Sequence, residues 1–367
     1  MHSFLFLLTV LICLPASTTA VLVACSGSNS TCQEACLKHG CTKWDCNGSL
    51  LNFCEQSCFQ KQCSHLTCDK TTHRCNQECG GCKTMNCYSS ECNQKCLTGY
   101  CNHITCDAAI NCQQLCVFCR NQRCYNIKEC IQTCVESDCS LKCLKSDVCL
   151  QNCHGNGCSA NCHSNESCLQ TCHDKANCTK LICESESCQQ NCKNSSYCGL
   201  LSCHGKNCRQ ETFVEKSELV CTSSRCEEQI SHASNTILYC NSVDGSCIQK
   251  CYGSGCVMTC GQDVKKCQQY CGGGNCNMTC ASGVGTCSIE CPGGNCTQYT
   301  SSTASVLLKC TIITMLTFFV ERIWRLKLKT YMTIMTAKKM ADSLLNNLHH
   351  MVLWSTFTCS YLYFFPN

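Results

Sequence analysis

Short runs of alternating positions recur along the chain between residues 32 and 296, and most of them begin and end at a cysteine. One kind of run has the form C-x-Q-x-C, and the other has an apolar residue two positions before its closing cysteine. A spacing of two places these residues on one face of a strand and the intervening residues on the other face. The pattern therefore predicts pairs of short strands, each with one inward-facing side.

The runs repeat with a fixed period. From Cys247 to Cys296 the cysteines are separated by steps of 4, 5, 4 and 7 residues, so that a unit of 20 residues contains four cysteines. Upstream units begin every 17 to 22 residues, at Cys32, Cys54, Cys75, Cys92, Cys112, Cys130, Cys149, Cys168 and Cys188. A period in this range is typical of a repeat architecture in which the loops absorb differences in length.

Two positions keep their character in nearly every unit. The middle of the first run is Gln at positions 56, 77, 94, 114, 132, 151, 170, 190, 210, 249 and 269, and it is Glu at Glu34 and Glu228. The position two before the fourth cysteine is apolar from Trp44 to Met278, with Gln122 as the exception. Equivalent side chains stacked at about 4.8 Å form ladders, and glutamine amides hydrogen-bond along such a stack.

These observations predict an all-β, disulfide-rich repeat over residues 21–300, folded as an elongated β-solenoid of about 13 coils with ~20 residues and four cysteines per coil. The chain has 55 cysteines in 367 residues and few aliphatic residues within the units, so cross-links must replace buried apolar area. The competing interpretation makes each C-x3-C a helical turn, because residues i and i+4 share a helix face. Five residues alone do not sustain a helix.

The repeat is degenerate over residues 208–246. Two units there lack their second and third cysteines together, and hydroxyl residues lie near the vacated positions: Thr212, Ser217, Ser231 and Thr236. Two cysteines that form one disulfide are expected to be lost together, because a single remaining thiol is reactive in the secretory pathway. The same region gains charge at Arg209, Glu211, Glu215, Lys216, Glu218, Arg225, Glu227 and Glu228. Two interpretations are open: sequence drift in a repeat that tolerates change, or a surface specialised for binding.

Parity favours disulfides between consecutive cysteines. All 52 cysteines from residue 25 to residue 296 are then used, and the degenerate units leave no remainder. Pairing within each C-x3-C leaves cysteines such as Cys25 and Cys296 without a partner. A ladder that joins the second cysteines of neighbouring units fails because both blocks contain an odd number of units. The predicted pairs include Cys25–Cys32, Cys36–Cys41, Cys240–Cys247, Cys251–Cys256, Cys260–Cys267, Cys271–Cys276, Cys280–Cys287 and Cys291–Cys296.

The ends of the chain predict its routing. Residues 1–20 have the short apolar run and small-residue end of a secretory signal peptide. Residues 304–320 are apolar and are followed by a tail, residues 321–367, with six Lys or Arg and two acidic residues. The apolar segment followed at once by basic residues predicts one transmembrane helix over 304–320. We expect the repeat to lie outside the cell and a basic, disordered tail to lie in the cytoplasm, as in a type I protein of the cell surface.

Two features bear on that routing. The sequence N-x-S/T occurs only before the apolar segment, and we expect glycosylation at Asn29, Asn47, Asn165, Asn177, Asn194, Asn277 and Asn295. The small residues 301–304 before an apolar run also resemble a GPI-attachment signal. GPI anchoring and simple secretion are therefore the alternatives to a transmembrane helix.

Candidate catalytic chemistry is sparse in this sequence. The pairs Cys79/Cys82 and Cys116/Cys119 have the C-x-x-C spacing of redox motifs, but they occupy the second and third positions of ordinary units. His154, His163, His173 and His204 each follow a cysteine, and zinc sites use both residue types. We predict no catalytic, cofactor-binding or metal-binding residue.

The predicted function is a non-enzymatic cell-surface or extracellular scaffold for structure or adhesion. The net charge of +4 over 367 residues gives no reason to expect a nucleic-acid partner. We expect the partner to be an extracellular protein or glycan, with membrane attachment through residues 304–320. The alternative is an extracellular protein that binds metal or buffers thiols through its cysteines.

Overall fold

The computed structural model of the protein describes residues 21–25, 31–36, 41–47, 51–58, 63–107, 110–194, 197–243, 245–300 and 305–309. The predicted signal peptide, Asn29, residues 310–320 and the tail lie outside these ranges. So do the side chains of the first four cysteines of the repeat, Cys25, Cys32, Cys36 and Cys41.

The described residues form parallel strands joined by short turns. In chain order they are β1 Val21–Cys25, β2 Thr31–Cys36, β3 Cys41–Cys46, β4 Phe53–Cys58, β5 His65–Cys68, β6 Arg74–Cys79, β7 Thr84–Cys87, β8 Glu91–Cys96, β9 Cys101–Cys106, β10 Asn111–Tyr125, β11 Glu129–Ser137, β12 Ser140–Cys153, β13 Asn156–Cys172, β14 Asn177–Glu184, β15 Ser187–Cys192, β16 Tyr197–Cys203, β17 Asn207–Thr212, β18 Glu218–Cys221, β19 Arg225–Ser231, β20 Ile237–Cys240, β21 Ser246–Cys251, β22 Val257–Cys260, β23 Lys266–Cys271, β24 Asn277–Cys280, β25 Thr286–Glu290, β26 Thr297–Thr300 and β27 Ser305–Lys309.

Each strand pairs with the equivalent strand one coil away. In β4 and β6, Cys54 lies opposite Cys75 and Gln56 opposite Gln77, while Leu66 of β5 lies opposite Met85 of β7. The architecture is an all-β parallel β-solenoid of about twelve turns, which confirms the predicted disulfide-rich β-solenoid with one coil fewer than the predicted 13 or so. We call the strands with the first and second cysteines the glutamine strands, and those with the third and fourth the apolar strands.

A continuous glutamine ladder runs through the interior. From Gln77 to Gln269, each side chain donates an Nε2–H to the Oε1 of the glutamine in the preceding coil, at 2.8–2.9 Å. Its other Nε2–H reaches a backbone carbonyl of the facing apolar strand; the Gln94 to Thr105 bond, for example, is 3.2 Å. An uncharged amide has two such hydrogens and an acceptor oxygen, so only Asn or Gln makes both donated bonds and also accepts from the next coil, and Gln has the longer reach.

The facing side of the interior is lined by the predicted apolar positions. Trp44, Leu66, Met85, Ile104 and their equivalents as far as Met278 are at most 1% exposed. Gln122 is also fully buried, and it donates to the Thr133 carbonyl at 3.1 Å. Its Oε1 has no hydrogen-bond partner, which is the cost of a polar side chain in this apolar column.

The prediction of Glu228 as a ladder residue is wrong. Strand β19 has a bulge between Cys226 and Gln229, and Gln210 lies opposite Gln229 instead. Gln229 is 1% exposed and donates to Gln210 at 2.8 Å, so the ladder is unbroken. The extra residue of the bulge turns the Glu228 carboxylate to the outer surface, where a charge remains solvated.

Consecutive cysteines lie at disulfide distance at both edges of the coil, from Cys46–Cys54 to Cys291–Cys296, with Cα atoms 5.8–6.5 Å apart. We call the turn between the second and third cysteines the first edge, and the turn between the fourth cysteine and the next unit the second edge. The sharp turns of the first edge use left-handed residues such as Asn275, with φ of 55°, which Asn tolerates.

The C-terminal segment differs from its prediction in part. Strand β27 lies within the predicted transmembrane residues 304–320 and pairs with β25. Among the described residues, no helix has the length and apolar character needed to cross a membrane.

Candidate binding surface on the degenerate coils

Hydroxyl pairs occupy the vacated disulfide positions of the degenerate coils. Thr212 lies opposite Cys192, and Ser231 lies opposite Cys251, so both take the place of a second cysteine. Their hydroxyls bond to residues five positions later: Thr212 to Ser217 at 3.1 Å and Ser231 to Thr236 at 2.7 Å. All four side chains are fully buried, and each pair replaces a covalent link with a hydrogen bond.

The outer side of the first edge has a column of large side chains at these coils. The Phe213 and His232 rings stack with centroids 4.1 Å apart, and the His232 and Tyr252 rings stack at 5.1 Å. Lys193 Nζ lies 5.9 Å from the centre of the Phe213 ring. Each residue directly follows a second-cysteine position, so the spacing between coils brings the side chains into contact. Phe213 is 44% exposed and Tyr252 is 48% exposed, which leaves ring edges open to solvent.

Charged side chains on the outside of the glutamine strands and beside them form two sets of ion pairs, each centred on one glutamate. Glu228 accepts from Lys250 Nζ at 2.6 Å and lies 3.5 Å from Arg209. Glu211 lies 3.5 Å from Lys193 and 3.2 Å from His232. The hydrogen bond to Glu228 raises the pKa of Lys250 above its ordinary value, so this ammonium stays charged throughout the physiological range.

The outer side of the apolar strands is also unusual here. Ile237 of β20 and Val257 of β22 lie opposite each other and are 45% and 39% exposed. Aromatic, aliphatic and paired charged groups thus occupy three sides of the same coils. Aromatic groups and arginine are enriched in protein interfaces, so this arrangement is suited to binding a partner.

Sequence reasoning identified the charged part of this surface and missed the rest. Lys193, Phe213, His232 and Tyr252 were not candidates, although each follows a second-cysteine position at intervals of 19 to 20 residues. Their shared position directly after the second cysteine is the sequence signal that could have identified this column of side chains. Lys250 was missed because its partner, Glu228, was expected to point inward.

The other candidate residues lie elsewhere on the solenoid. Cys79–Cys82 and Cys116–Cys119 are buried pairs at disulfide distance in shortened first-edge turns. The histidines that follow cysteines lie at the edges: His163 bonds Glu184, His204 contacts Ser202 and Thr222, and His154 and His173 both bond Asp174.

The predicted glycosylation sites within the described ranges are dispersed over the surface. Asn47, Asn165, Asn194, Asn277 and Asn295 are exposed. Asn177 is only partly exposed, and its Oδ1 is buried without a hydrogen-bond partner, so glycosylation is least favoured there. Comparison of the chain with family models, with curated proteins and with solved structures found no match.

Proposed function

We propose that this protein is a non-enzymatic extracellular scaffold that presents a binding surface on its degenerate coils, residues 208–246 with the adjoining Lys193, Lys250 and Tyr252. Its partner is an extracellular protein or glycan. The surface supplies two fixed carboxylates, three flanking cations and a stacked aromatic column.

The filled interior is the observation that supports this proposal. Cysteine pairs, the glutamine ladder and one apolar column occupy the interior of the described coils and bond or pack with one another. The side chains that vary in chemistry from coil to coil lie outside. A framework that repeats internally and varies externally is suited to holding surface groups at fixed positions.

The many cysteine pairs at disulfide distance indicate an extracellular or secreted protein. We further propose that the protein is tethered to the cell surface through residues 304–320 and glycosylated. A helix over these residues excludes strand β27, since residues 305–309 belong to both. If β27 is kept, residues 310–320 are too few to span a hydrocarbon core of about 30 Å, and the protein is secreted.

The test uses the full-length chain in non-adherent cells, with an epitope inserted after residue 20. Staining of intact cells measures surface display, and attachment of the cells to matrix proteins and glycans measures binding. The variant Arg209→Glu/Lys250→Glu should lose attachment while keeping surface display. The control Lys266→Glu, an exposed cation of β23 in the regular coils, should keep both. Attachment that is absent in the wild type, or equal in all three proteins, contradicts the proposal.

The alternative function, metal binding or thiol buffering by cysteine, has one observation in its favour. Sulfur atoms from adjacent coils gather at each edge; those of Cys46, Cys54 and Cys68 all lie within 4.8 Å of one another. In the reduced state such groups match the thiolate clusters that bind zinc or copper(I). Free thiols with stoichiometric metal in the protein isolated from cells would support this alternative.

A further inference from the structure

Two histidines and one aspartate converge on the outer side of the first edge, two coils before the degenerate region. His154 Nδ1 lies 3.0 Å from Asp174 Oδ2, and His173 Nδ1 lies 2.6 Å from the same oxygen. The centroids of the two imidazole rings are 3.7 Å apart, and the rings are arranged edge to face. Both histidines are 28% exposed and Asp174 is 65% exposed, so the cluster is open to solvent.

The fold fixes the positions of the two histidines. Cys153 and Cys172 are register partners, and each histidine directly follows its cysteine, so the imidazoles start one coil apart. The backbone N–H of His154 donates to the Cys134 carbonyl at 2.8 Å, and that of His173 donates to the Cys153 carbonyl at 3.0 Å. These bonds extend the backbone hydrogen bonding between coils to both histidines. They therefore reduce the conformational entropy that the two histidines lose when a ligand binds.

A longer turn places the carboxylate between them. Cys172 and Cys178 are separated by six residues, whereas Cys153 and Cys158 are separated by five. The longer turn contains two successive left-handed residues, Asp174 with φ of 59° and Lys175 with φ of 66°. The turn carries the Asp174 side chain back to His154, twenty residues earlier. His154 Nδ1 and His173 Nδ1 both bond Asp174 Oδ2, so the carboxylate lies within reach of both imidazoles.

We infer that His154, His173 and Asp174 form a binding site for one divalent transition-metal ion, with Zn²⁺ as the simplest case. Imidazole nitrogen and carboxylate oxygen bind Zn²⁺ at about 2.0–2.2 Å, and three protein ligands leave a fourth position for water or a partner's side chain. Ligand atoms of such a tetrahedron are about 3.4 Å apart, so the observed 3.0 and 2.6 Å require small rotations of exposed side chains.

This site is independent of the cysteine-based alternative, because it needs intact disulfides to hold the turn. It also lies outside the degenerate coils. Three ligands on a rigid edge with one open position can bind an ion alone, or can bridge to a histidine or carboxylate of another molecule.

The test is a Zn²⁺ titration by calorimetry of the full-length protein, with its disulfides intact and free thiols alkylated so that cysteine ligands cannot contribute. One ion should bind per chain. His154→Ala/His173→Ala should abolish binding, and Asp174→Asn should weaken it by about tenfold or more. His163→Ala is the matched control, since His163 is an edge histidine paired with a single carboxylate at 2.8 Å, and it should bind as the wild type does.

Circular dichroism on the same samples shows whether each variant keeps its strands. Binding that is absent in the wild type overturns the inference. Binding that persists in the folded double histidine variant, or that falls equally in His163→Ala, overturns it as well.

Discussion

The regular coils of residues 247–296 and the degenerate coils of residues 208–246 share one interior but close their first edge differently. In the regular coils the closure is Cys251–Cys256 and Cys271–Cys276 at disulfide distance. In the degenerate coils it is two buried hydroxyl pairs. The glutamine ladder runs unbroken through the degenerate coils and into the regular coils as far as Gln269. The covalent link at this edge is therefore replaceable in a coil that keeps its ladder.

The two regions also differ outside. At the position after the second cysteine, the degenerate coils and the coil that follows them have Phe213, His232 and Tyr252, whereas the regular coils continue with Gly272 and Pro292. The next position is tightly packed in the regular coils, because a Cβ on Gly273 would lie 2.3 Å from the Gly253 carbonyl oxygen. The turns at Phe213, His232 and Tyr252 thus carry an aromatic ring, whereas those at Gly272 and Pro292 do not.

Interrupting the ladder should have the largest effect and should be equal in both regions. Gln249→Leu leaves Gln229 Oε1 without its donor and removes the acceptor that Gln269 Nε2 reaches at 2.9 Å. Unpaired buried groups cost about 1–3 kcal/mol each, so we expect a local loss of about 3 kcal/mol or more. Gln229→Leu should cost the same. Hydrogen exchange of the flanking strands measures the free energy of local opening.

The ladder offers its own control at its last residue. Gln269 Oε1 has no hydrogen-bond partner, and Ile289 occupies the equivalent position of the next coil. Gln269→Leu should therefore cost less than Gln249→Leu, about 1–2 kcal/mol, since it removes the bonds to Gln249 Oε1 and the Thr279 carbonyl but leaves no glutamine donor without its acceptor and removes an unpaired Oε1. Equal costs at residues 249 and 269 would show that the ladder bonds contribute little.

Restoring the missing cross-link should make the degenerate coils resemble the regular ones. Thr212→Cys/Ser217→Cys introduces a pair with the same five-residue separation as Cys251–Cys256. The chain-entropy model gives about 2 kcal/mol for so short a loop, from which the lost hydroxyl bond subtracts about 1 kcal/mol. Mass spectrometry should find the new disulfide, and hydrogen exchange should slow in β17 and β18. Two free thiols at these positions would refute the equivalence of the two closures.

Removing one hydroxyl should weaken the degenerate closure by an amount similar to the net gain from the new disulfide. Ser231→Ala deletes the bond to Thr236 at 2.7 Å and the donation to the Ala233 carbonyl at 2.9 Å. We expect a local loss of about 1–2 kcal/mol by hydrogen exchange. Ser288→Ala, at an outward position of β25 in the regular coils, should change stability by less than about 0.5 kcal/mol. A loss at Ser231 no larger than this control would contradict the role of the hydroxyl pair.

The surface ion pair should have the smallest effect and a specific pH dependence. The pKa of Lys250 is raised, so the stabilisation is fully present below the ordinary lysine pKa and is lost as pH rises through the raised value. At pH 7 the variant Lys250→Met should lose less than about 1 kcal/mol, because the pair is partly exposed. The difference from the wild type should shrink as pH rises above the ordinary lysine pKa of about 10.4 and vanish once pH exceeds the raised value. A difference that is constant from about pH 8 to about pH 12 would exclude the ion pair as its cause.

Much of the interior followed from sequence because period-two spacing fixes which residues face inward. Gln94 and Leu141, for example, are buried where the pattern places them. Glu228 was assigned wrongly because a single extra residue shifts the phase, and nothing in the sequence between Cys226 and Gln229 marks the bulge. The external groups were harder to predict. The longer turn after His173 is visible in the cysteine spacing, but the contact of His154, His173 and Asp174 also depends on the register between coils.

The central claim is that each coil closes through consecutive partners at its edges, and disulfide mapping of the full-length protein isolated from cells tests it most directly. Proteolysis without reduction, followed by mass spectrometry, should find only consecutive pairs, including Cys221–Cys226 and Cys240–Cys247 beside the two hydroxyl closures. Cysteines joined between non-consecutive positions, or free thiols among those of the described coils, would contradict the claim.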